Sequence, residues 1–493
     1  MTVLIPVIIP LSAIVLLIAT RRWLIAQYII SMISMTVLVI NALSLLTTLQ
    51  LKGYLTYQAS GWPAPFGITL IADQFSAIML LAVAVVGWLV MMYAIGFVDA
   101  ARKKAGFFIL VQGLFAGVNG ALVTGDLFNL YVWFEVMIMA SFVLITHGAE
   151  KQQLRGAVKY VVLNLIGSVF LVSTIGLVYS KTGTLNMAQL AMMIQQQDVS
   201  ELMNSYLMLF FIAFGIKAAV FPFFFWLPAS YPTPPIAITA FFSATLTKVG
   251  VYTIIRFYSL YVDHDGFAWK EIILWMAAAT MIFGVLMAAS SFDFRKILSF
   301  HIISQIGYMI MGLGIFTINS LAGAVFFVVH NMFSKTAAFM AAGLVYKLRG
   351  TYELKDSGWV YKDKPLFALL FFLPALSLAG LPPTSGFFGK LFLILAGFES
   401  EDWAITITAL VVSIFTLFSM VKIWNEVYWK KPAEHTVLSH QPVKVNLLPV
   451  AATVAIVLLM LLPGVFAGSL FGYFSRAAAQ LMDVESYIKA VFP

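Results

Sequence analysis

The segment Ile236–Ser259, IAITAFFSATLTKVGVYTIIRFYS, decides how this chain is read. As a helix it crosses a hydrocarbon layer of about 30 Å, yet Lys248 sits at its middle, too deep to snorkel comfortably to either interface. Ser243 and Thr247 lie four apart on one face, where either hydroxyl can hold a water. A charge at the bilayer centre costs roughly 2.5–3.5 kcal/mol on insertion scales. The same oddity recurs at Glu135, Lys217, Lys335 and Lys390. Five such charges cost on the order of 12–17 kcal/mol, comparable to the whole stability of an ordinary domain. Residues of this kind face a polar interior and handle charge, so an ion or proton path is the leading expectation.

The rest of the chain has the same character. Of its 493 residues 62% are hydrophobic and only 10% charged, where a soluble domain carries about a quarter. Apolar runs of helical length recur throughout; membrane strands would be shorter and would alternate. The reading is an all-α integral membrane protein with fourteen spans, at 2–20, 28–48, 72–97, 107–124, 128–147, 157–180, 203–226, 236–259, 270–290, 297–316, 321–346, 366–397, 403–426 and 447–470.

Net charge is +8, but its placement argues against nucleic acid. Eighteen Lys and Arg, from Arg21 to Lys444, fall in loops after odd-numbered spans, and five fall after even-numbered spans or in the tail. This alternation follows the positive-inside rule and puts both termini outside the cytoplasm of a bacterial cell. The first run reads as a retained anchor, with Arg21 and Arg22 at its inner end, rather than a cleaved leader. No Cys is present, which excludes thiolate metal sites, disulfides and thiol catalysis. A phosphate loop and a dinucleotide fingerprint are both missing, so ATP-driven pumping is not expected. No haem or other cofactor and no metal site is expected; the deep His301 and His330 do not form an axial pair.

Proline placement suggests internal order. Phe221-Pro222 interrupts the seventh span soon after Lys217, and Pro382-Pro383 interrupts the twelfth just before Lys390. Two interrupted spans, each beside a lysine, fit inverted repeats about a midplane path; ordinary kinks are the bland alternative. The loop at 50–66 reads as a small outer hairpin, and 181–202, with Gln197 and Asp198, as solvated linker. Phe474, Ala478, Leu481, Val484, Ile488 and Val491 form an apolar face on a tail helix, suited to the membrane surface, a partner subunit or plain packing.

Of the 21 acidic residues, Glu135 alone reads as deep, and Lys217 or Lys248 could supply its counter-charge; a structural ion pair is the alternative. Arg256, two turns past Lys248, can snorkel to the span end. On the eleventh span His330 shares a face with Ser334 and Asn331 with Lys335, so His330 and Lys335 diverge. His330 is either a relay, its unperturbed pKa being near 6.5, or a satisfied core residue. Lys390 follows the helix break, where free backbone groups can orient water or an ion. Ser304, Gln305 and Tyr308 read as lining or packing residues.

Six motifs then carry a resemblance: DLFNLYVWFE at Asp126–Glu135; Lys217 with FPFFFWLP at Phe221–Pro228; LTKVG at Leu246–Gly250; DFRKILSFH at Asp293–His301; SQIGY at Ser304–Tyr308; and LPPTSGFFGK at Leu381–Lys390. Together they resemble, in order along almost the whole chain, the antiporter-like subunits shared by respiratory complex I and the multisubunit Mrp cation/proton antiporters. The resemblance implies fourteen helices, with helices 1–3 at 1–106, inverted five-helix repeats at 107–260 and 261–430 containing the broken helices 7 and 12, and a last helix plus amphipathic tail at 431–493. It implies a Glu135–Lys217 pair controlling one half-path, Lys248 at the centre, His330 and Lys335 as connectors, and Lys390 ending the other half-path. Many relatives have His where this chain has Phe224 and Tyr231, so entry there must use water or Tyr231.

The function expected is proton movement coupled to sodium export, a secondary transport and not an enzyme reaction. Partners would be other subunits of an Mrp-type complex, protons, Na+ and membrane lipid, with no nucleic acid. The alternatives are a proton-pumping subunit of a complex I-type quinone oxidoreductase or membrane hydrogenase, and a scaffold whose charges pair with neighbouring subunits.

Overall fold

A computed structural model describes residues 2–196, 200–262, 267–432 and 446–492. Gln197, Asp198 and Lys444 lie outside the described residues. The chain is helical almost throughout. Its first part holds α1 (Ile5–Ala19), α2 (Leu24–Lys52), the strands β1 (Leu55–Gln58) and β2 (Thr69–Ala72), α3 (Gln74–Phe97) and α4 (Ala100–Lys104). Then come α5 (Phe107–Val123), α6 (Leu127–Thr146), α7 (Lys151–Thr182), α8 (Met187–Gln195), α9 (Ser200–Ala218), α10 (Trp226–Ser230) and α11 (Ile236–Tyr261). The next stretch is α12 (Phe267–Ser290), α13 (Phe294–Ile315), α14 (Ile318–Arg349), α15 (Leu354–Ser357) and α16 (Val360–Asp363). It closes with α17 (Pro365–Ala379), α18 (Ser385–Glu399), α19 (Trp403–Ile423), α20 (Leu447–Val465), α21 (Ala467–Met482) and α22 (Val484–Val491).

Eleven helices among the described residues are long and apolar enough to span a membrane, and shorter apolar helices stand at α1, α5 and α17. Burial sorts them. The whole apolar window of α11 and 94% of those of α13 and α14 are buried, against 39% in α6, α7, α19 and α20. α11, α13 and α14, with Lys248 and Lys335 among their residues, therefore form the centre, wrapped by helices with one lipid-facing side. Close packing sets their positions: a Cβ on Gly250 would lie 2.7 Å from the Ala218 backbone nitrogen, so only glycine lets α11 cross the end of α9.

Both proline-interrupted spans break. α9 ends at Ala218 and the chain turns through Ala219 (φ 59°), with Val220 N–H bonded to Gly215 O at 2.9 Å. α17 ends at Ala379 and turns through Gly380 (φ 86°), with Leu381 N–H bonded to Leu376 O at 3.0 Å. Each is a left-handed helix end closed by a bond to the carbonyl five residues back.

Several sequence expectations change. The outer hairpin is real but extends past residue 66, pairing Leu55 with Ala72 and Gln58 with Thr69. Part of 181–202, read as linker, is the helix α8, capped by Asn186 and seated on a buried face of Met187, Ala188, Leu190 and Ala191. The tail is two helices. Phe474, Ala478, Leu481, Ile488 and Val491 are buried, Val484 half so, and the face packs on α14, α3 and α8 of its own chain. Glu135 is not the only deep acid. Asp73 is 2% exposed and pairs with Arg256, Nη2 to Oδ2 at 2.5 Å, so Arg256 does not snorkel. Asp73 also caps α3, so the pair ties the inner helix α11 to the start of α3.

Candidate functional site

Lys217 ends α9, one residue before its break, and its Nζ donates to Ser168 Oγ of α7 at 3.0 Å beneath the Phe134 ring. Glu135, one residue along from Phe134 on α6, is half-buried, and its Oε1 is enclosed without a hydrogen-bond partner. The two charges are within electrostatic range, but the lysine rests on the hydroxyl and not on the carboxylate. Trp226 steadies the break by donating Nε1–H to Ile216 O at 2.8 Å, and Phe221 N–H donates to Thr280 Oγ1 at 3.1 Å.

Lys248 is fully buried and donates to Ser243 O on its own helix at 2.7 Å. Ser243 Oγ returns to Ala240 O at 2.8 Å, while Thr247 Oγ1 is buried without a partner. Phe224 and Tyr231 are also buried, and Tyr231 O–H donates to Phe242 O at 3.3 Å, the carbonyl next to the one that holds Lys248.

On α14, His330 and Lys335 diverge as their spacing requires. His330 Nδ1 meets Ser385 Oγ at 2.9 Å and Ser334 Oγ at 3.0 Å, and its Nε2 has no partner. Lys335 turns to α13, with Nζ 3.4 Å from Leu298 O. Lys335 is within electrostatic range of both Lys248 and Lys390, and His330 of all three lysines.

Lys390, one turn into α18, reaches back to the open end of α17 and donates to Leu378 O and Ala379 O, both at 3.1 Å, over the Tyr308 ring. A helix C-terminus carries partial negative charge, so the broken end is a fitting seat for an ammonium. Tyr308 O–H donates to Ala409 O at 2.5 Å and meets Ser413 Oγ at 2.9 Å on α19. Ser304 Oγ and both polar atoms of Gln305 are buried without partners. Among the described residues no cluster of His, Cys, Asp or Glu could hold a metal ion.

Every path and lining residue proposed from the sequence except Glu135 is thus buried. Reading the sequence missed the partners: Ser168 under Lys217, and Ser385, which joins His330 to Met460 O at 2.8 Å. It also missed Lys422, whose Nζ donates to Ala289 O at 2.7 Å and Ser291 O at 2.6 Å at the end of α12. Ser385 stands in the Thr384-Ser385-Gly386 run that opens the second half of the broken span, a signal that was available.

Residues 124–416 match the family described as NADH:quinone oxidoreductase/Mrp antiporter, TM, and residues 62–108 the NADH-Ubiquinone oxidoreductase (complex I), chain 5 N-terminus. The chain is 40% identical over 489 residues to the D-type subunit of the Na(+)/H(+) antiporter of Alkalihalophilus pseudofirmus, covering 99% of each. Among solved structures it is similar to a chain of the Mrp complex from Dietzia sp. DQ12-45-1b, with TM-score 0.92, 30% identity and 100% and 99% of the two chains covered. A chain of the archaeal membrane-bound sulfane sulfur reductase shares the fold, with TM-score 0.90, 24% identity and 99% of each chain covered.

Proposed function

The chain belongs to the NADH:quinone oxidoreductase/Mrp antiporter transmembrane family, and from that premise we propose that it is the proton-conducting D-type subunit of a multisubunit Na+/H+ antiporter. It is a transporter subunit rather than an enzyme. Protons pass along Glu135, Lys217, Lys248, Lys335 with His330, and Lys390, and the rest of the complex couples that flow to sodium export. The observation that carries this reading is the set of buried amines seated on carbonyls and hydroxyls of these helices, together with buried polar atoms of Thr247, Asn331 and His330 that have no partner. Buried polar groups without protein partners are rare and call for water or a transported species.

In this reading residues 107–260 and 261–430 are inverted repeats, supported by the matching left-handed ends of α9 and α17. Both termini face outward from a bacterial plasma membrane, supported by the alternation of basic loops. Lys217 on Ser168, with Glu135 apart, is the open state of a switch. Closing the Glu135–Lys217 pair holds the charge at that end, and opening it lets a proton pass from Lys248 toward Lys390. The driving gradient supplies about 2.3 kcal/mol per charge per 100 mV.

Full-length identity to a known antiporter component favours this over a redox pump, whose relative shares the fold at lower identity. The test is the purified complex in proteoliposomes. A sodium pulse should move protons across the membrane without any electron donor. No pH change with sodium, or activity only with quinone and co-purified flavin and iron–sulfur subunits, would overturn the reading.

A further inference from the structure

Three cations line a cleft of about 260 Å³ on the face of the basic loops: Arg102 of α4, Arg295 in the first turn of α13 and Lys347 in the last turn of α14. Arg102 has its charge answered within the protein. It pairs with Asp99 and with Glu150, Nη2 to Oε1 at 2.5 Å, and its Nε donates to His147 O at 2.5 Å. Arg295 and Lys347 form no ion pair with any described residue. Each lies against a ring instead. The Arg295 guanidinium carbon is 4.0 Å from the centre of the Tyr352 ring, which is itself stacked on Tyr346 at 4.4 Å. Lys347 Nζ is 5.3 Å from the centre of the Phe97 ring. A guanidinium over a ring keeps N–H groups free for an oxygen anion, and Arg295 Nε is buried with no partner.

The rest of the lining suits an anion. Gln153 and Thr233 add polar side chains, and Ile236 begins α11, whose start has no side-chain cap and so adds partial positive charge. Among the described residues Glu150 is the one carboxylate of the lining, and it is taken by Arg102.

We infer that this cleft binds a phosphate group, carried by an anionic lipid headgroup or by free phosphate, with Arg295 and Lys347 as its two principal cations. Arg295 offers a fork of N–H donors and Lys347 a point charge, the two ways in which proteins hold phosphate oxygens. Gln153, Thr233 and Ile236 belong to the first proposed repeat, Arg295 and Lys347 to the second, so the bound anion clamps one to the other beside the loop that leads into α11. The binding site goes beyond the transport reading, and only the naming of the two repeats rests on it.

Binding is measured on the purified complex in nanodiscs of phosphatidylcholine. One arm adds radiolabelled inorganic phosphate; the other includes phosphatidylglycerol and counts the retained lipid by native mass spectrometry. Saturable uptake in either arm is expected, and the arm that responds identifies the source of the phosphate. Arg295→Gln and Lys347→Gln should each weaken that binding by about tenfold or more. Lys347 is exposed, so its variant keeps the test open if Arg295→Gln fails to assemble. No saturable uptake in either arm, or equal binding by the parent and the variants, would overturn the site. Because no sodium exchange is needed for this readout, failure of the site and failure of the transport reading are told apart.

Discussion

The two broken helices seat their lysines in opposite ways. Lys217 precedes its break and leans on a hydroxyl from another helix, Ser168 Oγ at 3.0 Å, with an acid nearby on α6. Lys390 follows its break and folds back onto the carbonyls of the helix just ended, both at 3.1 Å. The second ammonium is held by the partial negative charge of a helix terminus, and needs no carboxylate. The first has no such terminus aimed at it and is left to a movable side chain. A site served by backbone is fixed, and a site served by Glu135 and Ser168 can change partner. In the proposed path, that difference suits the Lys217 end to a switch and the Lys390 end to a fixed station.

The sharpest way to break the comparison is to remove the fixed station. Lys390→Ala should slow antiport by about 10²-fold or more, with the complex assembled as before. Lys390→Arg keeps the charge on the α17 end but cannot give up a proton, so it should fail to rescue. Rescue by arginine would reduce Lys390 to a structural counter-charge.

Next comes the support of that station. Ser385 joins His330 Nδ1 at 2.9 Å and Met460 O at 2.8 Å. Ser385→Ala leaves buried groups unpaired and should cost about 1–3 kcal/mol, read as a lowered melting temperature of the purified complex.

The turns themselves should respond with opposite sign. A Cβ on Gly380 would lie 2.8 Å from Lys390 Cδ, and φ there is +86°. Gly380→Ala should therefore destabilise by about 1–2 kcal/mol. Ala219 already holds φ 59° with a side chain, so Ala219→Gly should be neutral or stabilising, by up to about 1 kcal/mol. Equal responses at the two turns would mean that they are not equivalent ends. Trp226→Phe removes one donor to Ile216 O at 2.8 Å. It should cost about 1 kcal/mol in the same melting assay.

What could be read from the sequence follows from how local each feature is. Lysines inside apolar runs and prolines at 222, 382 and 383 announce themselves within a few residues, so the buried charges and both breaks were visible. Their partners were not. Asp73 and Arg256 meet across α3 and α11, 183 positions apart, so each looked like an ordinary charge near a span end. Ser168 and Ser385 are common residues that gain meaning only from the ammonium or imidazole facing them. The short helix α8 was hidden by a polar neighbourhood, and the tail's apolar face could not say that its own chain covers it.

The central claim is that protons cross through the buried amines, and Lys248, enclosed on α11 with Ser243 O at 2.7 Å, stands at the middle of the proposed path. The direct measurement is sodium-dependent proton movement in vesicles holding the full complex with Lys248→Ala. The account predicts an assembled complex that no longer exchanges the two ions. Exchange at the parent rate would contradict it.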